Sequence, residues 1–180
     1  MLIRRIVLLP LPVILAGALL AVDRVGLMPA AFIFGSQNGT HGFYVRVERQ
    51  GPDVDRITGR LFTYDRKGRE KILWERRLDY VPRRVLVSDF GAVVALNEWA
   101  RRGFEHALVV FDGSGNVIAD YELEDLLGPQ EIASKVRQTA SNRLWDFYSA
   151  VKFTREDLCI RLEWGKEIKI DLATGKLLRN

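Results

Sequence analysis

The stretch whose reading decides the fold is "VVFDGSGNV", residues 109–117. Asp112, Ser114 and Asn116 put oxygen-bearing side chains at alternate positions, as a calcium loop does, but the flanking residues are apolar and of strand type. Two other stretches separate a metal loop from a turn. "FTYDRKGREKIL" (62–73) and "IKIDLATGKLL" (168–178) also give an apolar strand, an Asp, a Gly three or four residues on, and a second strand. In such hairpins the Asp carboxylate accepts hydrogen bonds from backbone N–H groups just ahead of it, and Gly supplies the positive φ that closes the loop. Asp65, Asp112 and Asp171, with Gly68, Gly115 and Gly175, are therefore read as turn-forming. The residues between them change freely, which turn geometry permits and metal ligation does not. A calcium-binding EF-hand loop from Asp112 also needs Gly at its sixth and Glu at its twelfth position, where the chain has Val117 and Leu123.

Around these hairpins, short runs rich in Val, Ile, Tyr and Phe recur: "FYVRV", "RLFTY", "KILWE", "RVLVS", "AVVAL", "ALVVF", "NVIADYEL", "YSAVKF", "LCIRLEW", "EIKIDL" and "GKLL". Turn residues separate nearly all of them, the pattern of an antiparallel all-β domain of roughly ten strands. One stretch, Pro129 to about Thr139, reads as a short helix, with Pro129 suited to the first helical position and Ile132, Ala133 and Val136 on one face. Asp89-Phe90-Gly91 and Asn38-Gly39-Thr40 read as further turns. A full propeller needs four or more blades of about 40 residues, more than residues 31–180 supply. The predicted fold is a single β-rich domain over 31–180, mainly antiparallel, built as a sandwich, a half-barrel or a partial propeller.

The N-terminus has a different character. Met1 to Arg5 is short and positive, Ile6 to Val22 is uncharged and rich in Leu, Val, Ile and Ala, and Asp23-Arg24 closes the run. This predicts a signal peptide or a single transmembrane helix over 6–22, within an N-terminal segment and linker of residues 1–30. Pro10 and Pro12 shorten its regular part, and Ala16-Gly17-Ala18 matches a signal-peptidase site, so both fates stay open. Ala18 stands where a lipoprotein signal carries its lipidated Cys. Arg4-Arg5 puts the N-terminus in the cytoplasm and the domain outside.

The formal charge is +4, and from Val25 onward 24 basic residues face 22 acidic ones, which is not the balance of a nucleic-acid binder. Arg46 to Arg102 holds 14 basic against 9 acidic residues, and Gly103 to Asn180 holds 10 against 13. Opposite signs pairing across the fold is the favoured reading, and orientation on an anionic surface or acidic partner is the other. A single Cys159, expected buried in a strand, excludes an intrachain disulfide. With only His41 and His106, zinc spacings and a Cys-His pair are missing. No catalytic residue, metal ligand or cofactor site is assigned.

What is left is surface. "NEWARRGFEH" between "AVVAL" and "ALVVF" is too long for a tight hairpin, and its Trp99, Arg101, Arg102 and Phe104 are the residue types of interface anchors. Trp145, Phe147 and Tyr148 form a second aromatic group, expected in the core. The segment "SDFGAVVALNEWARRGFEHALVVFDGSGNVIADYELEDLL", 88–127, resembles exported bacterial β-rich, propeller-blade-like proteins of unknown function; the resemblance implies export and a β fold. The functional expectation is a non-enzymatic accessory or interaction subunit of a bacterial membrane complex. It is anchored in the inner membrane through 6–22 with its domain in the periplasm, and its partners are other membrane or periplasmic subunits. The alternative is a cleaved, soluble periplasmic module for a polymer, peptide or small ligand; a hydrolase built from distant residues comes third.

Overall fold

The computed structural model describes residues 28–50 and 53–178. The predicted transmembrane or signal helix over 6–22 lies outside the described residues, and among these no helix is long and apolar enough to cross a membrane.

The described residues form three successive four-stranded antiparallel meanders. The first sheet holds β1 (Ala31–Gly35), β2 (His41–Gln50), β3 (Asp53–Tyr64) and β4 (Glu70–Leu78). The central sheet holds β5 (Pro82–Val87), β6 (Val93–Glu98), β7 (Leu108–Phe111) and β8 (Val117–Tyr121). Two short helices follow, α1 (Leu123–Leu126) and α2 (Pro129–Lys135), then a two-stranded hairpin of β9 (Arg137–Gln138) and β10 (Arg143–Leu144). The last sheet holds β11 (Tyr148–Phe153), β12 (Asp157–Leu162), β13 (Glu167–Asp171) and β14 (Leu177–Leu178). Strand order equals chain order in each sheet, and none of the three closes into a barrel.

Two cores explain how the sheets stack. In one, Phe43, Val45, Leu61 and Trp74 of the first sheet meet Val85, Val93, Val109 and Phe111 of the central sheet. In the other, Val94, Leu96, Leu108 and Val110 of the same central strands meet Leu158, Ile160, Leu162, Ile168 and Ile170 of the last sheet, with Leu123, Leu127 and Trp145. The central sheet is thus buried on both faces, which is why β6 and β7 read as unbroken apolar runs, "VVAL" and "LVVF". β12 and β13 alternate, because the last sheet buries one face.

Each of the eleven apolar runs lies in a strand, β2 to β8 and β11 to β14; β1 and the two-residue strands β9 and β10 lack such a run. The helical region is corrected. The helix from Pro129 ends at Lys135 rather than near Thr139, because Val136 takes an extended conformation and Arg137 starts β9. A second helical turn, α1, closes by a capping box between Glu122 and Asp125.

The Asp-Gly turns have their own function in the stack. The Asp112 carboxylate accepts hydrogen bonds from the N–H groups of Ser114 (2.8 Å) and Asn116 (2.9 Å). Asp65 accepts them from Lys67 and Arg69, and Asp171 from Ala173 and Thr174. Gly115 has φ +85° and lies so close to the first sheet that a Cβ there would stand 2.7 Å from the Trp74 ring. Arg76 donates to the Gly115 carbonyl. A Cβ on Gly175 would stand 2.5 Å from the Ile118 carbonyl of β8, and the Tyr121 hydroxyl donates to the Gly175 carbonyl at 2.6 Å. The turn between the third and fourth strands of each later sheet therefore seats on the fourth strand of the sheet before it.

Candidate functional site

The loop between β6 and β7 carries the four sequence-derived anchors, and the structure gives each a different setting. Trp99 turns toward the first sheet and stacks on Phe32 of β1, ring centroids 6.3 Å apart, with the Arg83 guanidinium over its ring. Arg102 turns inward to an ion pair with Asp146, its side chain only 13% exposed. Arg101 is at the surface, paired with Glu105 at 2.8 Å, and Phe104 is half-buried between the Arg101 and Arg143 guanidinium groups. The four side chains do not share one outward patch.

A buried polar knot holds this loop. Asn97 is fully buried in the left-handed region (φ +59°), and its side-chain oxygen accepts from Trp145 Nε1 at 2.7 Å and from the Gly103 N–H at 3.0 Å. Trp145 is in the core, whereas Phe147 of the same sequence cluster is exposed under the Arg102 guanidinium. Asn97 and Asp146 were not candidates in the sequence, since the side-chain partner of each, Trp145 and Arg102, lies more than 40 residues away along the chain.

Nearby, the Tyr80 ring stacks on His106 with centroids 4.3 Å apart, and His106 Nδ1 lies 2.7 Å from Asp120 Oδ2. Burial, reinforced by the Asp120, Glu98 and Asp79 charges, pushes the Tyr80 hydroxyl far above its ordinary range. An imidazole held by a carboxylate is an arrangement for proton transfer, and the adjoining cavity, of about 40 Å³, is of water size.

Among the described residues, two broad concavities stand out. One, of about 560 Å³, lies where α1 and α2 meet the edge of the last sheet, over Leu126, Ile168 and Leu177. Glu131 pins α2 there. Burial acts to raise its carboxyl, but hydrogen bonds from Trp164 Nε1 (2.6 Å) and Lys166 Nζ (2.9 Å) outweigh it and hold the group below the usual carboxylate range. The other, of about 500 Å³, is a trough on the outward face of the first sheet.

That outward face is the most distinctive surface of the molecule. The register places Ile33, Tyr44, Arg60 and Glu75 in one row across β1 to β4, and Gly42, Phe62 and Ile72 in the next. Phe62 lies across Gly42, where a Cβ would come within 2.3 Å of the ring, and meets Tyr64 edge-on at 5.5 Å. Ile33 is 65% exposed, Tyr64 53% and Ile72 50%. A β-bulge opposite Leu61 and Phe62 is responsible for Ile72. Trp74, two residues on, points into the core, and without the extra residue both would share its face. Arg60 is held above its usual value chiefly by its bond to Glu75 (2.6 Å), against partial burial, with Glu70 adding to it.

The last sheet, at the other end of the stack, presents a different outward face. Lys152, Cys159, Lys169 and Leu178 form one row by register, and Arg161 and Glu167 pair in the next at 3.5 Å. Cys159 is half-buried there and not in the core, so the expectation of a buried thiol is corrected; partial burial raises it above the ordinary thiol range. The ion pairs run mostly within one sheet or one loop, rather than between the basic and acidic halves of the chain.

No family model matches this chain, and no curated protein matches it. Among solved structures, the crystal structure of HIRA(644-1017) superposes with a TM-score of 0.48 at 14% sequence identity, over 84% of this chain and 38% of that one.

Proposed function

We propose that this chain is a non-enzymatic accessory subunit of a bacterial membrane complex. Residues 6–22 anchor it in the inner membrane, and the β domain stands on the periplasmic side as an interaction module. The three meanders are read as three blades of an incomplete propeller. The observation that carries the proposal is the outward face of the first sheet, where exposed Ile33, Tyr64 and Ile72 surround the half-buried Tyr44 ring and the buried Phe62 ring. Aliphatic and aromatic groups gathered on one flat face favour protein contact over solvation. The first sheet begins at Ala31, eight residues after Asp23 closes the apolar run, so the docking face belongs to the sheet next to the anchor in the chain. Arg101 and Phe104 provide a second, smaller contact on the neighbouring loop.

The alternative, a cleaved periplasmic binding module, is favoured by the cavity over Leu126, Ile168 and Leu177, which has the size of a small-ligand site. The deciding experiment is intact and native mass spectrometry of the protein drawn from its own membranes in mild detergent. Met1 retained, with other chains at fixed stoichiometry, is the expected result. A chain that starts near Leu19 and elutes alone overturns the subunit reading and sends the search to ligands of that cavity.

A further inference from the structure

We propose that the outward face of the first sheet is covered by the same face of a second copy of this chain, related by a two-fold axis. The inference rests on the reading of that face as a docking surface and names its occupant.

Among the described residues, the internal joints have no counterpart on this side. Gly115 of the central sheet and Gly175 of the last sheet each press against the fourth strand of the preceding sheet, at Trp74 and at Ile118. The equivalent turn of the first sheet, between β3 and β4, has the same Asp and the same positive-φ glycine, yet a Cβ on Gly68 would meet nothing within 4 Å. The sheet beside that turn carries exposed apolar groups, as a covered layer does.

The other end of the stack does not fit this face. Head-to-tail stacking would set Lys152, Arg161, Glu167 and Lys169 of the last sheet, a set with an excess of positive charge, against a trough whose arginines and glutamates are equal in number, so the excess stays unpaired. Two copies of the first face suit one another better. Exposed Ile33, Tyr64 and Ile72 with half-buried Tyr44 supply the apolar groups, and among and beside them the trough is lined by arginines 46, 56 and 60 and glutamates 48, 70 and 75. A two-fold contact requires one patch to complement itself, which equal numbers of both signs allow. Four strands about 4.8 Å apart and about ten residues long at about 3.4 Å each give a face of about 650 Å² per copy. Both copies together bury about 1,300 Å², within the range of stable interfaces.

The test uses the full-length protein in mild detergent at micromolar concentration. Native mass spectrometry is expected to show two copies for the wild type and one for Ile72→Glu, with the thermal midpoint of the variant unchanged within a few degrees, so that lost pairing is not lost folding. A second variant locates the contact: Thr58→Cys in a Cys159→Ser background is expected to form a disulfide-linked dimer on mild oxidation, whereas wild-type Cys159 on the opposite face is not. A single copy for the wild type, two copies that survive Ile72→Glu, a cross-link through Cys159 alone, or a different protein seated on the face overturns the pairing. Its failure is distinct from that of the subunit reading. Retained Met1 with other chains bound and no self-pairing sinks only the pairing, while a paired chain released from the membrane sinks only the anchored subunit.

Discussion

The first and last sheets are two versions of one object with opposite outer surfaces. Each is a four-stranded meander that buries one face against the central sheet, and each is tied to it through a glycine turn at the same joint. On the far side the first sheet offers exposed Ile33, Tyr64 and Ile72, whereas the last sheet offers Lys152, Lys169, Leu178 and the Arg161–Glu167 pair. Strand propensity and turn chemistry are alike in both. The difference lies in which positions the register sends outward, and it marks one end as finished against water and the other as built for a further layer.

The largest effect should come from the layer that both ends share. Leu108, fully buried on β7, is expected to cost about 2–5 kcal/mol on Leu108→Ala, read as a shift in urea midpoint, while Leu178→Ala on the outer row of the last sheet should stay within about 0.5 kcal/mol. Equal losses would break the distinction between core layer and outer face. Next come the glycine joints. Gly115→Ala forces a Cβ to 2.7 Å from the Trp74 ring and adds left-handed strain, so a loss above about 2 kcal/mol is expected. Gly68→Ala, with the same positive φ but open space, should cost about 1 kcal/mol in the monomer. If the two substitutions cost the same in a monomeric protein, the joint at Gly115 is no joint.

The polar knot under the β6–β7 loop predicts an intermediate effect. Asn97→Ala leaves Trp145 Nε1 and the Gly103 N–H without their acceptor in a buried setting, at about 1–3 kcal/mol, visible as a lowered unfolding midpoint and a changed Trp emission. The smallest effect is the pH dependence. Asp65 is held below the usual range by its bonds from Arg69 and Lys67. Asp171 is held low by Thr174 and Ala173. For Asp112 partial burial acts upward and the Asn116, Ser114 and Gly115 bonds outweigh it. Carboxyls depressed in the folded state contribute stability above the unfolded value, about 3.9, and lose it as pH falls through their lower folded values. The melting temperature should therefore hold from pH 7 to about 5 and decline below about 4; a decline between pH 7 and 5 would point to a group other than these turns.

The strands were legible because their apolar runs and Gly-rich turns are local signals. β1 escaped because "AFIFG" is short and follows directly on the linker, and α1 because "DYELEDLL" continues a strand pattern until the Glu122–Asp125 capping box turns it. The surfaces were legible only in part. Arg102 reads as a surface anchor in its own loop, and its inward turn depends on Asp146, 44 residues on. The outer face of the first sheet depends on a bulge that reverses the side of Ile72 relative to Trp74, and alternation alone puts both in the core. Its members come from four strands, so nothing in any one strand marks the patch.

The meanders also bear on how the chain acquires its shape. Every strand of the three large sheets pairs with its immediate neighbours in the chain, so the pairings within each sheet close over short loops, and local pairings of this kind lower the contact order that slows folding. Synthesis from the N-terminus delivers β1 to β4 before any residue of the last sheet arrives. The first sheet can take its pairing at that stage, with the central sheet its next contact and the exposed Ile72 face still waiting, so a passing chaperone or a second nascent copy meets that surface before the domain is complete.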